Sequence, residues 1–382
     1  MASMPDMPSA QMRIEALART NPLFGPRKLK LGTFCSNVSS GGTMSTMEGT
    51  LQANWDDASA VSRLADEMEF EAVVPIARWR GFGGQTDFNG GVLEALTFAA
   101  GMSAQTTYPS IFATVHVPSM HPVMAAKQVT TIDHISRGRF TLNVVTGWNR
   151  RDVELFGSPL LDHDQRFVVA DEWITLMKLL WTSDVPIDFE GKYFHVRDAL
   201  LKPRPIQPYP ALMNASTSPA GKAFAAKHFD IVFTRLTGRD PASLREQLDS
   251  YRRYAREEFG RELKVWVNSA VFLGDTQEDA DRLYDYCVNQ KGDREAVGNM
   301  LTEMGLGGRK LTPAQLEDLQ TSLMAGYGGF MLKGTKERIV DELQMLYEVG
   351  IDGTLLNWPA YVSDMGRFKE EVYPLLVQEG LR

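Results

Sequence analysis

An eight-fold parallel β/α barrel with insertions is the fold this sequence predicts, on three observations. Strand-like and helix-like segments alternate along the chain, eight strands each followed by a helix, the order of a parallel α/β sheet rather than of a sandwich or a helix bundle. No second composition regime, internal repeat or low-complexity tract divides the 382 residues. A plain barrel takes roughly 250 residues, so one barrel carrying insertions and long termini accounts for the length.

The elements follow in order. Residues 1–27 are polar and end in a Pro-containing stretch, which reads as a loose N-terminal arm. Residues 28–382 form the barrel domain. Its strands are expected at 29–35, 72–79, 110–117, 140–146, 212–215, 231–234, 265–272 and 354–358, each a short run of apolar and β-branched residues. Helical spacing marks 57–69, where Val61, Leu64, Ala65 and Met68 share a face, and also 92–104, 123–135, 164–181, 220–227, 243–259, 278–288, 336–349 and 365–378. "FEGKYFHV" reads as a short hairpin, and Pro203, Pro205, Pro208 and Pro210 mark an extended segment. Residues 289–330 are rich in glycine (Gly305, Gly307, Gly308, Gly326, Gly328, Gly329) and form the largest insertion, a candidate lid.

Composition excludes several classes of function. Hydrophobic residues make up 43% and charged residues 23%, as in ordinary globular proteins. A formal charge of −8 argues against a nucleic-acid or anionic-membrane surface. Cys35 and Cys287 have no CxxC spacing, which disfavours a disulfide framework or a zinc site. With no basic, apolar leader at the start and no run long enough to span a bilayer, the expected compartment is the cytoplasm.

In such a barrel the chemistry sits at the C-terminal strand ends. The second expected strand ends in Arg78-Trp79-Arg80; the third carries Thr114 and His116. The fourth, "RFTLNVVTGWN", holds Asn143, an amide in the middle of a buried run where amides are depleted and costly. Each has an ordinary structural reading: a satisfied amide, a ladder threonine, solvated arginines. Their convergence on one rim is what points to a site. The fifth strand runs into "NASTSPAGKAF", where Ser216, Thr217 and Ser218 precede Pro219. Ser218 is the expected N-cap of a helix whose free N–H groups suit a phosphate as well as ordinary capping. Neither a P-loop nor a dinucleotide GxGxxG is present, and the six histidines show no metal-ligand spacing. So few acids and bases at the strand ends suit a cofactor that carries the chemistry.

"RWRGFGGQTDF", "HPVMAAKQVTTIDHISRGRFTLNVVTGWN" and "FEGKYFHV" together resemble the bacterial-luciferase-like flavin-dependent monooxygenases. The resemblance is to the pyrimidine monooxygenase branch and, in the loop "NVSSGGTMSTMEGTLQANW", to the sulfone branch. It implies a barrel that binds reduced FMN supplied by a separate NAD(P)H:flavin reductase, activates O₂ and oxygenates a small organic molecule, either a pyrimidine-type heterocycle or a sulfone. It also implies a homo-oligomer, dimer or tetramer. Carried over position by position, it assigns flavin contact to Ala77, Arg78, Asn143, Asp152, Arg166, Phe167 and Ser218. Val74, Ile76, Thr114 and Asn143 become the pocket that holds O₂ against the flavin. Asn143 and Thr114 are then the catalytic pair, with His116 a candidate proton donor or substrate contact. No metal is implied. The histidine that follows a late strand in alkanesulfonate enzymes has no counterpart in "VWVNSAVFLGD". Two other readings of the same barrel are a deazaflavin-dependent oxidoreductase and a non-catalytic flavin-binding protein.

Overall fold

The strands of the barrel ring are buried on both faces, as a layer covered inside by side chains and outside by helices requires; all seven residues of Ser110–His116 are buried. The computed structural model describes residues 10–215, 217–306 and 311–382. Its strands are β1 (Lys30–Phe34), β2 (Ala72–Val74), β3 (Ser110–His116), β4 (Thr141–Val145), β5 (Ile187–Glu190), β6 (His195–Ala199), β7 (Ala211–Ala215), β8 (Ile231–Thr234), β9 (Lys264–Leu273), β10 (Phe330–Gly334) and β11 (Gly353–Asn357). Eight of them close a parallel ring in the order β1-β2-β3-β4-β7-β8-β9-β11 and back to β1. β10, which sequence reasoning did not anticipate, pairs in parallel with the C-terminal half of the long β9, Phe330 opposite Ser269. The expected hairpin is β5–β6, antiparallel and outside the ring. The Glu172 carboxylate ties its turn to helix His163–Thr182 by accepting the N–H groups of Lys192, Tyr193 and Phe194.

Helix starts follow local chemistry. Asn54, Ser218, Asp240 and Thr276 each accept an N–H from the first turn of their helix. Pro122, Pro219 and Pro241 occupy first-turn positions, where the missing N–H costs nothing. The expected helix at 365–378 is in fact two, Tyr361–Glu371 and Tyr373–Gln378, broken just before Pro374. The helix at 278–288 ends at Tyr284 and runs on as the π-helical turn Asp285–Gln290. Among the described residues no helix is long and apolar enough to cross a membrane, and Cys35 and Cys287 are buried free thiols.

The expectation of a loose N-terminal arm is corrected for residues 10–27. Helix Ala10–Ala18 and the 3-10 turn Pro22–Phe24 carry Leu17, Leu23 and Phe24 into the barrel interior, against Ala72, Phe112, Met213, Ile231 and Trp266. Arg13 pairs with Asp230 at 2.6 Å, both buried, and its guanidinium lies 3.4 Å from the Tyr209 ring centroid. Asn21 Nδ2 donates to Thr141 Oγ1 at 3.1 Å. These partners lie at the N-terminal ends of the strands, so the arm stoppers the barrel floor. Polar composition concealed this, because three or four well-placed apolar groups suffice to anchor a short segment.

The insertion at 289–330 is largely helical, Arg294–Glu303 and Pro313–Gly326, and buries Val297, Met300, Leu323 and Met324 in one cluster with Met44, Phe82, Phe88 and Phe272. Two of its glycines, Gly307 and Gly308, lie outside the described residues, as does Ser216. Asp293 fastens the insertion to the loop after β2: Oδ2 accepts from the Thr86 N–H at 2.7 Å and hydroxyl at 2.8 Å, and Oδ1 caps Ala296. Asn299 Nδ2 donates to Phe82 O at 2.7 Å across the same seam.

Candidate active site

Thr114 in β3 and Asn143 in β4 are register partners, so both side chains emerge on the same face of the sheet. The Thr114 hydroxyl donates to Pro75 O at 2.8 Å, and Asn143 Nδ2 donates to Thr114 Oγ1 at 3.1 Å. Direction is forced along this relay. A carbonyl only accepts, so the threonine proton goes to Pro75, and the oxygen left behind accepts from the amide. Asn143 must then turn Oδ1 away, and that oxygen is buried without a partner among the described residues. A buried acceptor left open is costly; its neighbour Thr114 lines a cavity at the strand ends.

The chain beyond β2 is held by a second amide. Asn37 Oδ1 accepts from Ile76 N–H at 2.9 Å while its Nδ2 donates to Ile76 O and Leu93 O. Arg78 then turns inward and pairs with Asp152 at 2.6 Å, both almost wholly buried. The guanidinium lies beside the stacked pair of Phe82 and Trp148, 4.8 and 5.1 Å from their ring centroids. The other Asp152 oxygen accepts the backbone N–H groups of Trp79 and Arg80. Asp152 is thus committed to Arg78 and the β2 loop. Arg78 is no solvated loop charge, whereas Arg80 is exposed.

His116 is buried beside Arg78, and burial together with that cation pushes its pKa down to about 3. The ring is neutral at any physiological pH, so it offers a neutral N–H or a lone pair and no imidazolium. It lines a cavity of about 470 Å³ with Ala77, Arg78 and Thr114, and with the exposed aromatic pair Trp79 and Phe156, whose rings meet edge to face at 5.0 Å. Ser119, Met120 and Phe156 also line a neighbouring cavity of about 480 Å³ that contains Thr146 and Arg166. Arg166 Nη1 donates to Gly147 O at 2.7 Å; its Nε has no partner among the described residues, and burial pulls its pKa down. Ser218 Oγ accepts from Gly221 N–H at 3.1 Å as N-cap of helix Pro219–His228.

The residues singled out in the sequence therefore divide. Ala77, Arg78, Thr114 and His116 meet around one cavity, with Asn143 on Thr114. Arg166 faces the adjoining cavity. Val74 lies lower, in the apolar barrel interior, and Ile76 packs with Cys35 and Val38. Phe167 turns from the mouth to Phe224, 5.6 Å between centroids. Several polar groups at the mouth escaped sequence reasoning. Asn357 Nδ2 donates to Asn268 Oδ1 at 3.0 Å, and Asn268 Nδ2 donates to Gly326 O at 2.8 Å. Asn268 sits in "VWVNSAVF", an amide within a buried strand like Asn143, so the same signal marked it. Tyr327 and Arg235 carried no such mark, because their place depends on how the insertion folds back.

A family model described as luciferase-like monooxygenase matches residues 29–353. The FMNH(2)-dependent dimethylsulfone monooxygenase of Pseudomonas putida is 28% identical over 355 residues, covering 91% of this chain and 95% of its own. Pyrimidine monooxygenase RutA of Acinetobacter baylyi is 26% identical over 352 residues, covering 91% and 95%. Among solved structures, that of riboflavin lyase RcaE with modified FMN and riboflavin superposes with a TM-score of 0.82 at 22% identity, covering 92% of each chain, a likeness of fold.

Proposed function

Because the chain belongs to the luciferase-like monooxygenase family, we propose that it is the oxygenating half of a two-component system, receiving reduced FMN from a separate NAD(P)H:flavin reductase and oxygenating a small heterocyclic or sulfone-type substrate. The observation that carries this reading is the open Oδ1 of Asn143, fixed in direction by Thr114 and Pro75. A reduced flavin ring has N–H groups that its oxidised form lacks, and a buried acceptor complements them. When bound, the flavin supplies the electrons that let one atom of O₂ enter the substrate while the other leaves as water. Two relatives in the family are named as monooxygenases, one of them as FMNH(2)-dependent.

The chain's own contribution is to bind, orient and exclude water. Asn143 contacts the flavin and the reacting oxygen, and Thr114 is a positioning residue, its hydroxyl consumed in holding Asn143. Arg166 and the first turn at Ser218 hold the phosphate, one by charge and the other by free N–H groups. Ala77 and Arg78 form the wall beside the ring, with Asp152 behind Arg78. Neutral His116 contacts ligand without demanding a counter-charge. The insertion at 289–330 excludes water, which protects a reactive flavin from unproductive decay. The cytoplasm is the proposed compartment and a homodimer or tetramer the proposed assembly.

The test is anaerobic binding of FMNH₂ followed by mixing with ¹⁸O₂ and a panel of pyrimidines, sulfones and N- and S-heterocycles. The expected result is tight FMNH₂ binding and a product carrying one labelled oxygen. Binding without labelled product across the panel would overturn the reading in favour of a flavin carrier.

A further inference from the structure

Across the mouth from Thr114, a recess of about 190 Å³ opens between the ends of β1, β7, β8 and β9. Phe34, Phe233 and Tyr327 wall it; Phe34 lies 5.3 Å from Phe233 and 5.8 Å from Tyr327 between centroids. Register ties it to the active site. Asn143 is the partner of Met213, and Ala215, two residues on and so on the same face, lines the recess.

The recess contains a cation without an anion. Arg235, the residue after β8, donates its Nε–H to Gly328 O at 3.2 Å and has no carboxylate partner among the described residues. Burial alone acts on it, pulling its pKa down. Gly328 stands at φ +69, and a Cβ there would lie 2.4 Å from Arg235 Nη2, so only glycine lets the chain bend this closely over the guanidinium. Arg235 is half-buried; the buried Arg13 and Arg78 are matched by Asp230 and Asp152, and the buried Arg139 by the carbonyls of Ser103, Thr106 and Pro109, whereas Arg235 has the one carbonyl of Gly328. Withdrawing a cation from water without a counter-charge is unfavourable. The N–H groups left over form a fork that fits a planar or trigonal anion.

We propose that Arg235 anchors an acidic group of the substrate, a carboxylate or sulfonate carried on an apolar body that packs on Phe34, Phe233 and Tyr327. This rests on the monooxygenase reading and narrows its substrate to an organic acid. The same anion chemistry is offered by the cofactor's phosphate. Thr217, Thr234 and Asn268 complete the lining, and the three aromatic walls favour an acid that carries an apolar body over a hydrated phosphate.

The test is calorimetry on the whole protein, with and without saturating FMN, using benzoate and benzenesulfonate beside their uncharged amides. We expect the wild type to prefer each acid by about tenfold, the worth of one charge-assisted contact. Arg235→Met should abolish that preference and leave FMN affinity unchanged; Arg235→Gln, which removes the charge but keeps an N–H donor, gives the same readout if the methionine variant unfolds. Equal binding of acid and amide by the wild type overturns the proposal. So does a fall in FMN affinity in either variant with the acid preference intact, which assigns Arg235 to the phosphate. Failure to bind FMNH₂ in an anaerobic titration sinks the flavin reading instead, and the acid-against-amide comparison without flavin still decides this one.

Discussion

Arg78 and Asp152 form a buried ion pair at 2.6 Å that joins the end of β2 to the short helix Arg150–Glu154 after β4. Removing one partner from such a pair strands the other charge in a dry setting, at a cost of about 3–5 kcal/mol. Asp152→Asn should therefore lower the free energy of urea unfolding by about 3 kcal/mol, and the double variant Arg78→Met with Asp152→Leu should recover most of it. A single variant as stable as the wild type would show that water reaches the pair.

The relay through Thr114 makes a different prediction, because its parts are neutral. Thr114→Val leaves Pro75 O and Asn143 Nδ2 without their partner, costing about 1–3 kcal/mol for each group. Thr114→Ser keeps the hydroxyl and should restore both stability and FMNH₂ affinity. Asn143→Ala should weaken FMN binding measurably while cutting product formed per O₂ consumed. Wild-type coupling in that variant would remove Asn143 from its proposed role.

His116 sets a pH dependence whose sign follows from its depressed pKa. The unfolded chain takes up the proton near 6.5, whereas the folded chain resists it down to about 3. Below pH 6.5 the unfolded state thus binds more protons, and stability falls as the pH drops through this window. By pH 5 the loss should be on the order of 2 kcal/mol. His228 titrates in the same direction, held down to about 4 chiefly by burial, so the informative quantity is the difference between wild type and His116→Phe at pH 7 and pH 5. Parallel curves for the two would mean that the ring is solvated.

Asp293 is the test of the insertion. Asp293→Ala removes the acceptor shared by the Thr86 N–H and hydroxyl and uncaps helix Arg294–Glu303. Capping alone is worth about 1 kcal/mol, too little to unfold the barrel but enough to loosen the seam. Hydrogen exchange should accelerate in residues 293–303 and not in β3 or β4, and more of the O₂ consumed should escape as H₂O₂. Unchanged exchange would show that Asn299 and the apolar cluster hold the seam unaided.

All eight ring strands were legible in the sequence because each is a short apolar run bounded by turn or capping residues, and Ser218 was legible as an N-cap from Ser-Pro alone. Asn143 stood out for the same local reason, an amide where the pattern demands hydrocarbon. The arm was not legible, since Leu17 and Leu23 look incidental until the barrel floor they fill exists. Nor was Asp152's commitment to Arg78, 74 positions away in the chain. Arg235 looks like any arginine after a strand; its lack of a counter-charge among the described residues becomes visible only in the folded chain.

The stoppered floor has a consequence for traffic. With Leu23, Phe24 and the Arg13–Asp230 pair closing the lower end, the barrel is a cup rather than a tunnel. Whatever enters by the rim must leave by the rim. Cofactor, substrate and product therefore share one doorway, and a spent flavin still seated there would keep the next guest waiting.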